Sequence, residues 1–329
     1  MRIENDVKLD FDDVLIRPKR SEAPSRKSVW LERDFVTLHS KQKLSLIPIL
    51  AANMDTVGTI AMAYSLHASS LGCCLHKFYP QQTLSIFFSE KKSSLSFYTL
   101  GMREDDFEKL ASVNKITPVN RICLDVANGY SKYFSNTVTK MRLAYPKAII
   151  MAGNVCTPDM VQELLLGGAD IVKIGIGPGS HCSTRVMTGC GYPQLSSIIE
   201  CADAAHGLSG LVCADGGCKQ PADIVKAFGA GADFVMLGGM LAGADECEGD
   251  WLGDGLKVYG MSSREAQTRY YSQVPEYATP EGRCSIVPPK GPVSGLVREI
   301  LGGLRSACSY VGAGRLKDLS RCTTFVRLS

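Results

Sequence analysis

The chain predicts one (β/α)8 barrel, and three observations carry that expectation. Eight short apolar runs recur, each followed by a helix-like segment. The runs are nearly continuous in apolar character rather than alternating, as parallel strands covered on both faces are. Polar and glycine residues gather at their C-terminal ends, which share one face once the sheet closes. A doubly wound open sheet is the competing arrangement, but it gives no reason to reach closure at eight. The length, 329 residues, suits a single domain of this kind.

In order, the runs are Ile47–Asn53, Gly72–Lys77, Leu95–Gly101, Arg121–Asn128, Ala148–Asn154, Asp170–Ile176, Gly210–Gly217 and Phe234–Gly239. After the fifth, Thr157 reads as an N-cap with Pro158 at the first helical position, and Gln220-Pro221 after the seventh has the same design. Residues 1–46 form an N-terminal extension. Residues from about Gly243 to Pro292 are polar, rich in Gly and Pro, and too long for a tight loop, so they read as a flap over the catalytic face. The closing stretch VSGLVREILGGLRSACSYVGAGRLKDL reads as helix, break, helix.

Composition narrows the function. A net charge of +3 with no basic run gives no nucleic-acid or membrane surface. There is no signal-like apolar start, no run of membrane-spanning length and no S-K-L-type terminus, so the expected address is the cytoplasm. Thirteen cysteines are many, but Cys73, Cys74, Cys123 and Cys213 sit inside apolar runs and read as reduced, buried, small hydrophobes. No C-x-x-C pair and no His/Cys spacing suggests zinc.

The chemistry lies in the loops. GPGS (Gly177–Ser180), ADGG (Ala214–Gly217) and LGG (Leu237–Gly239) follow the sixth, seventh and eighth runs. Glycine lets backbone N–H groups approach an anion, and barrels frequently bind phosphate after strands seven and eight. A carboxylate there, Asp215, would repel phosphate and suits ribose hydroxyls, so the ligand reads as a nucleotide. Cys182 follows the first of these turns, where Arg185 and the loop amides would favour thiolate. A thiolate beside a nucleotide suits attack on an electrophilic carbon such as purine C2. Thr184 can relay a proton if a carboxylate backs it, and Glu281 in ATPEGR is the candidate.

Beyond these loops, FDDVLIRPKRS, AANMDTVGT, ICLDVANGYS, MAGNV, KIGIGPGS, GYPQLS, ECADAAHGL, KAFGAGADFVMLGGMLAG, YGMSS, PEG, ILGGLRSACSYVGA and TTFVR span almost the whole chain. In these stretches it resembles the family shared by IMP dehydrogenases and GMP reductases, and within it the reductases. The resemblance implies that Cys182 attacks C2 of GMP to form a thioimidate, that Thr184 with Glu281 protonates the departing ammonia, and that hydride from NADPH completes IMP. It implies GMP contacts at Ser180, Asp215, Gly216, Gly217, Gly238 and Gly239, with Gly260, Met261, Ser262 and Gly282 edging the base. Cofactor contacts are implied at Lys77, Asp125, Val126, Ala127, Ile176, Gly177, Tyr277 and a turn formed by Ser306, Ala307, Cys308 and Ser309. Ser25 and Arg26 would reach the cofactor from a neighbouring subunit, the family being tetrameric. Carbonyls of Gly177, Gly179, Cys182 and Arg185 resemble a potassium loop.

An IMP dehydrogenase is the alternative, using the same cysteine but passing hydride to NAD and hydrolysing the adduct. Such enzymes resemble this chain in fold but usually carry regulatory modules after the second strand, where GCCLHKFYPQQTL runs on uninterrupted. They also activate water with an Arg-Tyr pair. Arg269-Tyr270 is such a pair, but it follows YGMSS in a helix-like segment and reads as helix surface. A non-catalytic nucleotide-binding barrel is the third reading, and it would need none of Cys182, Thr184 or Glu281. Three departures from the family pattern stand out: Ala278 where an arginine is usual, YTLGM at the end of the third run, and His181 before the cysteine.

Overall fold

The computed structural model describes residues 1, 3–22, 25–271 and 279–328. Eight parallel strands close into a barrel: β1 (Ile49–Ala51), β2 (Gly72–Leu75), β3 (Ser96–Leu100), β4 (Arg121–Asp125), β5 (Ile149–Val155), β6 (Ile171–Ile174), β7 (Leu211–Asp215) and β8 (Phe234–Leu237). Each pairs with the next in sequence, and β8 closes on β1 through Val235↔Ile49 and Leu237↔Ala51. All eight expected runs become barrel strands, and three of them run into their polar ends, at Asp125, Asn154 and Asp215.

The helices between them are α1 (Ile60–His67), α2 (Gln81–Ser89), α3 (Glu104–Ile116), α4 (Lys132–Ala144), α5 (Pro158–Leu166), α6 (Gln194–Gly207) and α7 (Pro221–Gly229), and α8 (Val293–Val311) follows β8 after a long excursion. Thr157 and Gln220 are the N-caps of α5 and α7, each with Pro at the first helical position. Alternate strand residues point to opposite sides. Ile49, Ala51, Cys73 and Leu75 therefore pack outward against the helices, while Leu50, Cys74, Phe97, Cys123, Met151, Cys213 and Phe234 fill the interior.

The N-terminal extension closes the bottom of the barrel. A hairpin of Arg33–Val36 and Lys43–Leu46 puts Phe35, Leu44 and Leu46 into the interior core. Phe35 stacks on Phe234 with ring centroids 4.7 Å apart, and Arg33 pairs with Asp233 at 2.9 Å. Nearer the N-terminus, Val14–Ile16 pairs antiparallel with Phe325–Arg327.

The segment expected as a flap has architecture of its own. Trp251–Leu252, Gly255–Tyr259 and Cys284–Val287 form an antiparallel sheet, and Arg264–Tyr271 is a helix between its second and third strands. It is fastened to the loop after β1, where Asp55 Oδ2 accepts from Tyr259 Oη at 2.6 Å and from Tyr270 Oη at 2.7 Å. After it, α8 ends at Gly312 with φ 76°, a left-handed cap that suits glycine, followed by a short helix at Leu319–Cys322. No described helix is long and apolar enough to cross a membrane.

Candidate active site

A cavity of about 480 Å³ opens at the C-terminal ends of the strands, within the usual range for a small-molecule site. Cys182 lies on its wall, half-buried, in the loop after β6. The loop turns back on itself through Cys182 N–H donating to Gly179 O at 3.0 Å. The short helix Thr184–Thr188 then starts, stopped by the left-handed Gly189.

The flap completes this wall. Ser183 N–H donates to Glu281 O, Glu281 N–H to Ser262 O, and Arg283 N–H to His181 O. Cys182 thus bridges Gly282 in an antiparallel arrangement. The contact is tight enough to demand glycine: a Cβ on Gly282 would lie 2.8 Å from Ser263, and one on Gly260 2.6 Å from His181 O. In this frame the Cys182 thiol donates to Thr184 Oγ1 at 3.3 Å, and Thr184 Oγ1 donates to Glu281 Oε2 at 2.6 Å. Sulfur, hydroxyl and carboxylate form one chain across two segments 97 residues apart.

The three glycine loops meet beside it. Gly177, Gly179, Ser180, Gly216, Gly217, Gly238 and Gly239 all line the cavity. A Cβ on Gly239 would sit 2.7 Å from Ser180 Oγ. Gly216 and Gly217 have φ of 88° and 89°, a run of left-handed backbone that glycine adopts without strain.

On the other side stand two carboxylates. A register shift between Gly153 and Val155 in β5 displaces Asn154. Its amide donates to Asp215 Oδ2 at 2.9 Å. Asn53 donates to Asp125 Oδ2. Lys77 pairs with Asp106 at 3.1 Å. Burial works against its ammonium, but Tyr271 and Asp106 outweigh it and raise the pKa. Val126, Ala127, Ile176, Met261 and Ser262 also line this cavity.

Other expected site residues are placed elsewhere. The Arg185 guanidinium does not turn to the thiol; it reaches Asp10 at 3.2 Å, the Ile176 carbonyl and the Tyr192 carbonyl, tying the loop to the N-terminal extension. Ser306–Ser309 is not a turn but the last part of α8, because the apolar spacing of that stretch continues through it; Cys308 is buried. Neither that stretch nor Ser25 and Arg26 lines the cavity; the turn Arg26–Ser28 packs on α8 instead. Tyr277 and Ala278 lie outside the described residues. Of the four carbonyls expected to form a potassium loop, those of Gly179 and Arg185 accept from Cys182 N–H and Gly189 N–H. Arg269 is exposed and pairs with Asp250 at 3.4 Å. Tyr270 is not helix surface: it stacks on Phe78 with centroids 3.4 Å apart and spends its hydroxyl on Asp55.

Lys173, which pairs with two carboxylates of the cavity, and Thr99, on the cavity wall, escaped the sequence reading. Lys173 sits at the centre of β6 between Asp125 and Asp215, and its only signal was a lysine inside the apolar run DIVKIGI. Thr99, on β3, has a buried hydroxyl with no partner, as does the carbonyl oxygen of Asn154. Unpaired polar atoms on a cavity wall are places for a ligand to bond.

A thiol–hydroxyl–carboxylate chain beside glycine-rich loops, at the C-terminal face of a closed parallel barrel, is the arrangement of an enzyme active site. The pattern of the family described as IMP dehydrogenase / GMP reductase domain matches residues 8–329, and the chain belongs to that family. Among its relatives are proteins named GMP reductase. That of Phytophthora infestans is 54% identical over 335 residues, covering 100% of this chain and 92% of the relative. Those of Escherichia coli O139:H28 and Shigella boydii serotype 4 are each 52% identical over 336 residues, covering 100% of this chain and 97% of each relative.

Proposed function

We propose that this enzyme is a GMP reductase, converting GMP to IMP and ammonia with a nicotinamide cofactor, in purine nucleotide interconversion and salvage. The observation that carries the reading is the hydrogen-bonded chain Cys182–Thr184–Glu281. Binding a nucleotide needs none of the three. Attack at C2 with expulsion of an amine needs a nucleophile and a proton donor together.

In this reading GMP lies with its phosphate on Ser180, Gly216, Gly217, Gly238 and Gly239, its ribose on Asp215, and its base edged by Gly260, Met261, Ser262 and Gly282. The Cys182 sulfur bonds to C2 as its proton passes through Thr184 to Glu281; C2 becomes tetrahedral, and the aromatic cost of losing the amine falls. Glu281 passes a proton through Thr184 to the amino nitrogen, the C2–N bond breaks with its electron pair, and ammonia leaves. The covalent thioimidate is then reduced at C2, and the C2–S bond breaks to release IMP and free thiol. A bound nicotinamide cofactor supplies the hydride.

The wall beyond Cys182 fits the nicotinamide end of such a cofactor, because Thr99 Oγ1 and Asn154 Oδ1 are buried there without partners. Lys77, Asp125, Val126, Ala127, Ile176 and Gly177 would hold it. The remaining contacts, Ser25, Arg26 and Ser306–Ser309, fit a homotetramer in which a neighbour supplies them. We read the cofactor as NADPH, and K⁺ as a ligand of the Gly177, Gly179, Cys182 and Arg185 carbonyls. Tyr270 argues against the dehydrogenase, since its hydroxyl is held by Asp55 rather than free to activate water.

Absorbance at 340 nm tests this. GMP with NADPH is expected to lose signal, with ammonia released in equal amount. Signal gained with IMP and NAD instead makes the enzyme a dehydrogenase, and silence in both mixtures makes it a binder.

A further inference from the structure

Lys173 lies in the middle of β6, and its side chain is only 1% exposed. It has room because β5 carries Gly153 alongside it, where a Cβ would fall 2.5 Å from that of Lys173. Cys74 and Cys123 stand near its ammonium, and Cys213 pairs with it across β7. An ammonium in such a place is strongly destabilising unless matched. It is matched twice, with Nζ 3.1 Å from Asp125 Oδ2 and 3.1 Å from Asp215 Oδ2. Burial works to strip its proton, and the two carboxylates outweigh it, so the pKa stands well above the ordinary lysine value.

Each Oδ2 has a second donor, Asn53 for Asp125 and Asn154 for Asp215. The carboxylates are therefore held at Oδ2, and both residues line the cavity. They also share one cation, which brings them close to each other. Lys77, also on the cavity wall, is already paired with Asp106 at 3.1 Å. Without the ammonium the two carboxylates would repel, which favours a proton on one of them.

We propose that Lys173 is a positioning residue that sets both carboxylates at once and so couples the substrate ribose site at Asp215 to the cofactor site at Asp125. This rests on the site reading above. A wild-type protein that binds no GMP defeats that reading before any variant is compared.

The test is Lys173→Met, with circular dichroism and thermal melting to establish folding. GMP and NADPH affinities are expected to fall together, each by more than about tenfold, and the acid limb of kcat/KM to move up by about one pH unit. Asp125→Asn provides a second arm if Lys173→Met does not fold. It leaves Lys173 to Asp215 undivided, so the acid limb of GMP binding is expected to move to lower pH. Loss of affinity for one ligand only in Lys173→Met, or an unmoved acid limb in either variant, overturns the proposal.

Discussion

At the scale of single residues, the chain from Cys182 to Glu281 assigns unequal roles. In the proposed reaction the sulfur forms the bond, while Thr184 and Glu281 move a proton. Cys182→Ala is expected to lower turnover by more than about 10⁴-fold while GMP still binds, and Glu281→Gln by about 10²- to 10³-fold. Steady-state kinetics beside calorimetric GMP titration separates the two effects. Two histidines make opposite predictions for stability. His76 is buried against Tyr79 with centroids 4.0 Å apart, and burial, with Lys109 nearby, pushes its pKa from 6.5 down to about 4. The unfolded chain then binds the proton first. His76 supports folding fully above pH 6.5, and that support drains as pH falls towards 4, by about 3 kcal/mol in all. His76→Phe is expected to remove this slope in urea unfolding compared at pH 7 and pH 4. His206 is raised by its bond to Asp233, so its contribution is present below pH 6.5 and lost as pH climbs through the raised value.

At the scale of elements, the flap depends on a few contacts for its place. Glu281 reaches Thr184 only while the flap sheet and its helix are seated, and Asp55 seats them through two tyrosines. Tyr270→Phe removes one donor but keeps the stack on Phe78. A stability loss of only about 1 kcal/mol is expected, with faster amide exchange across Cys284–Val287 and a higher KM for GMP. Unchanged exchange there would mean that Asp55 does not hold the flap. The barrel strands were legible because a strand covered on both faces must be apolar throughout; Gly72–Leu75 is buried at every position. The flap strands were not: Cys284–Val287 is mostly exposed and carries no such pattern. The hairpin strand Lys43–Leu46 alternates exposed and buried over only four residues, too short a period to separate from a loop. Lys173 was passed over because a run read for its apolar residues hides a charge the fold must match. Arg185 was assigned by nearness in sequence, while its partners Asp10 and Tyr192 are fixed by tertiary packing.

At the scale of the whole molecule, the residues expected around a cofactor divide into two places. Lys77, Asp125, Val126 and Ala127 line the cavity at Cys182. Ser25 and Arg26 lie on the turn against α8, whose end carries Ser306–Ser309. A single chain does not bring the two together, and an assembly that does would make activity depend on protein concentration. If the proposed tetramer supplies them, turnover per active site is expected to fall on dilution as scattering mass drops towards that of the monomer, while GMP binding persists. Arg26→Glu should raise the cofactor KM without touching GMP affinity. Resemblance supplied the expectation about these residues; no local spacing in the chain could have, because the relation lies between subunits.

The hairpin that closes the barrel has a consequence in time. Its Arg33 meets Asp233, 200 positions later in the chain. A ribosome adding about 5–20 residues per second needs roughly 10–40 s to deliver that partner. Through that interval Phe35, Leu44 and Leu46 emerge with nothing to cover them. The nascent chain is thus most in need of a holdase early, and a stall just before the last strand would leave a sticky, uncorked cylinder.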